Sequence, residues 1–212
     1  SMEDLRNMVV DIRPIIGISM GDPGGIGPEI CAKALAQKEI YDICRPLVVG
    51  DADIMANAVR FSKLALEVTA RHNVPEAVFS LGKIDVLDLK SLALADLRHK
   101  EVTARQGKAS FEYVAKVIEL AMAGKIDATV TGPINKAAIN AAGYHYAGHT
   151  EIYADLTRTK NYSMMLAEGS FRVAHVSTHV SLREACERVK KDRVLTVIRL
   201  SHAALRQLGT AS

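Results

Sequence analysis

The chain has 212 residues, with 27 Lys and Arg against 24 Asp and Glu and a formal charge of +3. That length holds a real hydrophobic core, and 49% apolar with 24% charged residues is ordinary globular composition, which excludes wholesale disorder. So small a positive surplus argues against a nucleic-acid or membrane-surface protein, and no apolar run approaches the ~20 residues of a membrane-crossing helix.

Taken in chain order, Ser1 before Met2 reads as the scar of a removed tag, and residues 1–13 as that remnant plus an N-terminal tail. The acidic Glu3 and Asp4 do not give a signal peptide's order. Pro14–Met20, rich in isoleucine, predicts a buried strand. A glycine-rich turn runs from Gly21 to Gly27. Pro28-Glu29 then opens a helix through Ile30, Ala34 and Leu35, since proline suits the first helical position and an acid the positive end of the dipole. Pro46–Gly50 predicts a second strand. Asp51 is placed as the cap of a helix carrying Ile54, Met55, Ala58 and Val59 at helical spacing. Residues 66–89 read as short strands and loops.

A long helix is predicted over 104–123, with Phe111, Val114, Val117, Ile118 and Ala121 on one face and Gly124 as its stop. Ala128–Gly132 predicts a strand ending in a Gly-Pro turn, 136–142 a helix stopped by Gly143, and a further helix starts near Thr150. The apolar runs Ser163–Ala167 and Val173–Ser177, split by Glu168-Gly169-Ser170, predict a strand–turn–strand unit. Ser181-Leu182-Arg183-Glu184 is a capping box, and a last helix covers 194–208.

Strands alternating with helices make this an α/β chain. Cys31, Cys44 and Cys186 contain no CxxC pair, so they read as reduced thiols of a cytoplasmic protein, not as disulfides or a zinc site. The last helix carries Val194, Val197, Ile198, Leu205 and Leu208 on one face, and no strand follows it. The expectation is a fragment, or a partner that covers this end.

Four features bear on chemistry. The strand–glycine loop–helix unit at 18–29 could bring backbone N–H groups to a phosphate or carboxylate. It is neither GxGxxG nor a P-loop, and Asp22 suits a cation or hydroxyl better than an anion, so a tight structural turn is an equal reading. Gly132-Pro133-Ile134-Asn135-Lys136 stands at a strand's C-terminal end, where open α/β sheets bind ligands. Lys136 could meet a phosphate there or simply be solvated. Among the histidines 72, 99, 145, 149, 175, 179 and 202 there is no HExxH, and His179 sits between an apolar run and the Ser181 cap. A lone histidine so placed is more often structural than a ligand. The basic run Arg188–Arg193 lacks interleaved aromatics and reads as a solvated helix junction, not a nucleic-acid site.

Ile18-Ser19-Met20-Gly21-Asp22-Pro23-Gly24-Gly25-Ile26-Gly27-Pro28-Glu29 resembles the opening signature of the 4-hydroxythreonine-4-phosphate dehydrogenase family. Thr131–Lys136, Gly148-His149-Thr150-Glu151 and Ser177-Thr178-His179 resemble three further motifs of that family, in the same order. The resemblance spans essentially the whole chain. It implies the isocitrate/isopropylmalate dehydrogenase fold: two α/β domains with a cleft, in a homodimer that shares its active sites, with 14–212 as the N-terminal part. It implies NAD-dependent oxidation of a 4-phosphorylated hydroxy acid, with decarboxylation of the keto acid and a divalent metal (Zn, Mg or Co) that polarises the alcohol oxygen. By position His179 is a metal ligand, His149 and Thr150 contact substrate, Lys136 is a less secure polar contact, and Gly21 and Asp22 shape the cleft-side loop.

Two branches of the family fit, one acting on 4-phospho-hydroxy-L-threonine in pyridoxine biosynthesis and one on D-threonate or D-erythronate 4-phosphate. His175–His179 and Tyr162–Leu166 favour the second. Gly24 departs from the family's usual alanine. Family members also carry roughly another third of chain, with the other metal histidines and most of the cofactor pocket. One histidine is short of the usual three protein ligands, so this chain alone is expected to turn over nothing. The alternatives from other classes are a catalytically dead assembly subunit and a phosphate-binding module.

Overall fold

The computed structural model describes residues 11–210; the expected tag remnant lies outside the described residues. The chain forms two compact units, one ending at His145 and one starting at Tyr146.

The first unit is built on five parallel strands: β1 (Ile15–Ser19), β2 (Arg45–Gly50), β3 (Glu67–Arg71), β4 (Lys83–Asp88) and β5 (Ala128–Thr131). They lie in the order β3-β4-β2-β1-β5. Its helices are α1 (Gly27–Ala34), α2 (Lys38–Ile43), α3 (Ala52–Phe61), α4 (Ala104–Met122) and α5 (Lys136–Ala141). In β2, Pro46 to Gly50 are all buried, which is why it reads as an unbroken apolar run. Its side chains alternate between two cores. Val48 joins Ile84, Val86 and Met55, while Leu47 and Val49 join Leu87, Val117 and Ile126. The predicted tail is tied down at its end: Arg13 donates to the Tyr41 carbonyl, and the Arg13 carbonyl accepts from Arg45 Nε at 2.7 Å.

One element escaped the sequence reading for a physical reason, whereas β3 and β4 are the short strands expected within 66–89. Helix α2 fully buries only Tyr41, packs Ile40 against the edge of the core and carries an exposed Lys38–Asp42 ion pair, so its six residues are too few to show an apolar period. Strand β4 carries Asp85 in its middle. That carboxylate is almost wholly buried and accepts from Arg71 Nε (2.6 Å), Val78 N (3.1 Å) and Phe79 N (2.9 Å).

Asp51 occupies the cap position of α3 but does not cap it. Its oxygens accept from Ser91 N and Leu92 N at 2.8 Å and from the Tyr113 hydroxyl at 2.5 Å. Asp88, at the end of the neighbouring strand, accepts from Ala52 N instead (3.1 Å). Burial raises the Asp51 carboxyl, partly offset by the Tyr113 bond. On α4 the buried stripe includes Tyr113 and Leu120 as well as Val114, Val117 and Ile118, because the helix serves both cores. Phe111 is half-buried and stacks on Tyr144. Gly124 and Gly143 adopt positive φ and end their helices as expected.

The second unit contains α6 (His149–Leu156), the antiparallel ribbon β6 (Met165–Glu168) and β7 (Phe171–Ala174), α7 (Leu182–Arg188) and α8 (Lys191–Gln207). The ribbon's turn is only Gly169-Ser170, with Gly169 at φ +52 and Glu168 opposite Phe171. This tight turn starts the second strand two residues before the expected position. Ser181 and Glu184 form the predicted capping box. Helix α8 begins three residues early, with Asp192 in its first turn against the positive end of the dipole. Among the described residues no helix is long and apolar enough to cross a membrane.

Candidate functional site

In the first unit, the loops that leave β1 and β5 meet at the C-terminal end of the sheet. Gly132 N donates to Ser19 O and Asp22 N to Pro133 O, both at 2.8 Å. Gly21 is held at φ +79, and a Cβ there would lie 2.6 Å from the Pro133 carbonyl. Only glycine meets both conditions. Asp22 is buried, and its Oδ1 accepts from Gly24 N (3.0 Å), closing the turn; burial pushes its carboxyl up.

Gly24 is explained by Gln106. A Cβ at 24 would fall on the Gln106 amide and within 2.6 Å of the Arg98 carbonyl. Gln106 in turn holds the 98–101 segment, accepting from Arg98 N (2.7 Å) and donating to Glu101 O (3.0 Å), while Lys100 N donates to Gly24 O (3.0 Å). Asn135 caps α5 by accepting from Ala138 N (3.0 Å). Lys136 is exposed on the first turn of α5, and its ammonium has no partner among the described residues. Gly21, Asp22 and the 133–136 turn are thus brought together.

The second unit holds a crevice of about 670 Å³. Thr150 on α6 and His179, in the loop before α7, both line it. His179 adopts φ +57, an uncommon conformation for a non-glycine residue, and is exposed. His149 does not line the crevice. Its ring is half-buried, Nε2 is sealed without a hydrogen-bond partner, and burial holds the imidazole below its ordinary value. Glu151 does line it, with Oε2 likewise sealed and unpartnered.

The walls also carry Lys160, Arg188, Lys190 and Arg193, four cations against the carboxylates of Glu151 and Glu187. Arg193 is anchored, donating to the carbonyls of Val176 (2.8 Å) and Tyr162 (3.0 Å). The crevice therefore favours an anion that also offers hydroxyl or carbonyl groups to the threonine and imidazole side chains.

The basic run, read from sequence as a solvated junction, does sit where α7 meets α8. It also walls the crevice, because α7 is a seven-residue helix, about 10 Å long, whose two ends border one opening. The capping box had already fixed where α7 starts; its short length was the missing signal. His175 is another lining residue to which the residue pattern gave no role.

Among the described residues, no three His, Cys, Asp or Glu side chains gather closely enough to hold a metal ion. His179 stands without the further ligands a metal site normally needs. The loop at 21–27 does not match a dinucleotide-binding turn either. The described residues therefore do not by themselves fit a metal ion or NAD.

The comparisons with known proteins agree with this architecture. Residues 42–212 match the family described as pyridoxal phosphate biosynthetic protein PdxA. A Symbiobacterium thermophilum protein, provisionally named D-threonate 4-phosphate dehydrogenase, is 44% identical over 200 residues, covering 94% of this chain and 60% of that protein. Crystal structures of 4-hydroxythreonine-4-phosphate dehydrogenases superimpose well. The Klebsiella pneumoniae structure gives a TM-score of 0.86 at 35% identity, over 94% of this chain and 60% of that one. The Burkholderia phymatum structure gives 0.84 at 38% identity, over 92% and 59%. The chain thus spans about 60% of the length of the relatives it matches. With most of its length matched and its parallel sheet superimposed on that pattern, the chain belongs to the PdxA family of α/β dehydrogenase-fold proteins.

Proposed function

We propose that this chain forms the N-terminal part of an enzyme that oxidises a 4-phosphorylated hydroxy acid with NAD and a divalent metal ion, with decarboxylation of the keto acid. The carrying observation is the cationic crevice that joins Thr150 to His179 in a chain of this family. In this reading the cations of the crevice hold the phosphate and carboxylate, the Thr150 hydroxyl orients the substrate, and His149 supports the start of α6 from inside. Lys136 and the Gly21-Asp22 turn act at the strand ends of the first unit. The favoured substrate is D-threonate or D-erythronate 4-phosphate; 4-phospho-hydroxy-L-threonine is the other member of the same class.

His179 is the single candidate ligand here for the metal, so the described residues do not complete that site and no step is routed through it. The 212-residue chain therefore binds the phosphorylated acid without turning it over. The reading includes a homodimer. Leu166, Phe171 and Val173 of the ribbon are exposed, and a two-stranded ribbon is marginal in water without something to pack against.

The test combines calorimetric titration of D-threonate 4-phosphate with an NADH assay in the presence of Mg²⁺ or Zn²⁺. Binding tighter than that of inorganic phosphate, with no NADH formed, is expected. Affinity no better than inorganic phosphate contradicts the substrate class, and clear NADH formation contradicts the insufficiency of this chain. Binding indifferent to the hydroxy-acid portion favours a plain phosphate-binding module.

A further inference from the structure

Residues 176–193 form a loop of backbone that one side chain closes. Arg193, in the first turn of α8, donates from Nε to the Val176 carbonyl (2.8 Å) and from Nη1 to the Tyr162 carbonyl (3.0 Å). It thereby ties the start of α8 to the chain on both sides of the β6–β7 ribbon. The residue before Val176 is clamped as well. His175 N donates to the Met164 carbonyl at 3.0 Å, the His175 ring Nδ1 lies 3.2 Å from the same oxygen, and Ser163 Oγ donates to the His175 carbonyl at 2.7 Å. Downstream, Ser181 is fixed by its capping box with Glu184. The stretch 177–180 is therefore held at both ends, and it contains His179 at φ +57. None of residues 177–180 makes a backbone–backbone hydrogen bond of its own among the described residues. A non-glycine residue at such a φ costs energy and persists only where its surroundings impose it, and here they act from the two ends.

We propose that Arg193 is a positioning residue for His179: its guanidinium fixes the Val176 end of this stretch and so holds the imidazole on the crevice wall in its left-handed conformation. The inference rests on the functional reading above, in which His179 meets the bound acid, and adds the residue that keeps it in place. Arg193 itself lines the crevice, so its charge adds to the local field, but the Nε and Nη1 bonds go to backbone. The two acceptors belong to segments far apart in the chain. A planar guanidinium presents donors to both in fixed directions, whereas an ammonium on a flexible stem does not. Without the clamp, 177–180 relaxes toward negative φ. Binding of the acid must then restore the strained form, and affinity falls by the fraction of chains that still hold it.

The test uses the 212-residue chain and Arg193→Lys, which keeps the positive charge and removes the fork. Backbone scalar couplings of His179, measured by NMR, read its φ, and calorimetry reads the affinity for D-threonate 4-phosphate. Expected are a positive φ in the wild type, couplings that move toward the negative-φ range in the variant, and an affinity about tenfold lower, the order expected when one such residue relaxes. In a His179→Ala chain the same substitution should change affinity by less than about twofold, because no imidazole remains to be positioned. Ser181→Ala, which frees the stretch at its other end, should move the same His179 couplings. Unmoved couplings in Arg193→Lys overturn the proposal. So does an equal loss of affinity with and without the imidazole, which makes Arg193 a direct contact of the anion. Loss of the native amide spectrum across the second unit of Arg193→Lys also overturns it, since the residue is then general scaffold. A wild-type chain that does not bind D-threonate 4-phosphate overturns the functional reading, and the His179 couplings still decide the clamp.

Discussion

The two units manage apolar surface in opposite ways. Nearly all of the buried apolar side chains among the described residues, from Met20 to Ile139, lie in the first unit; of those described after residue 145, only Ile152 and Val197 are buried. The first unit encloses two cores around a parallel sheet, and its functional loops are shaped by backbone bonds and glycines. The second keeps its charged, hydroxyl and imidazole groups around an open crevice, on short elements with little packing beneath them. A dense core fixes backbone to within tenths of an ångström, whereas a thin one leaves side chains accessible to ligand.

The largest effect that could break this contrast is in hydrogen exchange. Amides of β2 should exchange only through global unfolding, and those of the β6–β7 ribbon at least about a hundredfold faster through local opening. Equal protection in both would erase the distinction. Next comes the close approach of β1 to the turn after β5. A Cβ on Gly132 would sit 2.6 Å from the Met20 carbonyl oxygen, backbone that cannot move cheaply. Gly132→Ala should cost about 3 kcal/mol in urea unfolding, and a cost below about 1 kcal/mol would show that the loops are not locked together.

Smaller again is the Asp51–Tyr113 bond. Tyr113→Phe leaves a buried carboxylate with one donor fewer and should cost about 1–2 kcal/mol, read as a lowered midpoint at unchanged m-value. Smallest is a pH effect in the second unit. Burial holds the folded His149 imidazole below its ordinary value of about 6.5. Between the two values the unfolded chain takes up a proton that the folded chain does not. Stability is therefore full above about pH 6.5 and lost as the pH falls through that window. Urea midpoints compared across it should decline in the wild type, with a shallower decline in His149→Gln; identical slopes would mean that the ring is solvated.

Much of the scaffold was legible because local signals and burial agreed. Pro46–Gly50 is apolar throughout and becomes the central strand, Pro28 opens α1, and Ser181 with Glu184 caps α7. Asp51 was misleading because a buried carboxylate looks like a surface cap until its donors are known, and these come from Ser91, Leu92 and Tyr113. At the candidate site, motif order pointed to Thr150 and His179, and the fold places both on one crevice. The same motif pointed to His149, whose ring the fold turns inward. Arg188, Lys190 and the Nδ1 bond of His175 depend on how α7 and the ribbon end fold together, which no spacing in the sequence states.

The central claim is that the crevice of residues 147–193 binds a phosphorylated hydroxy acid through Thr150 and His179. Its most direct measurement is calorimetric titration of D-threonate 4-phosphate into the wild-type chain, Thr150→Val and His179→Ala, with Tm recorded for each. Each substitution is expected to weaken binding about tenfold or more at unchanged Tm. Wild-type affinity in both variants would contradict the claim.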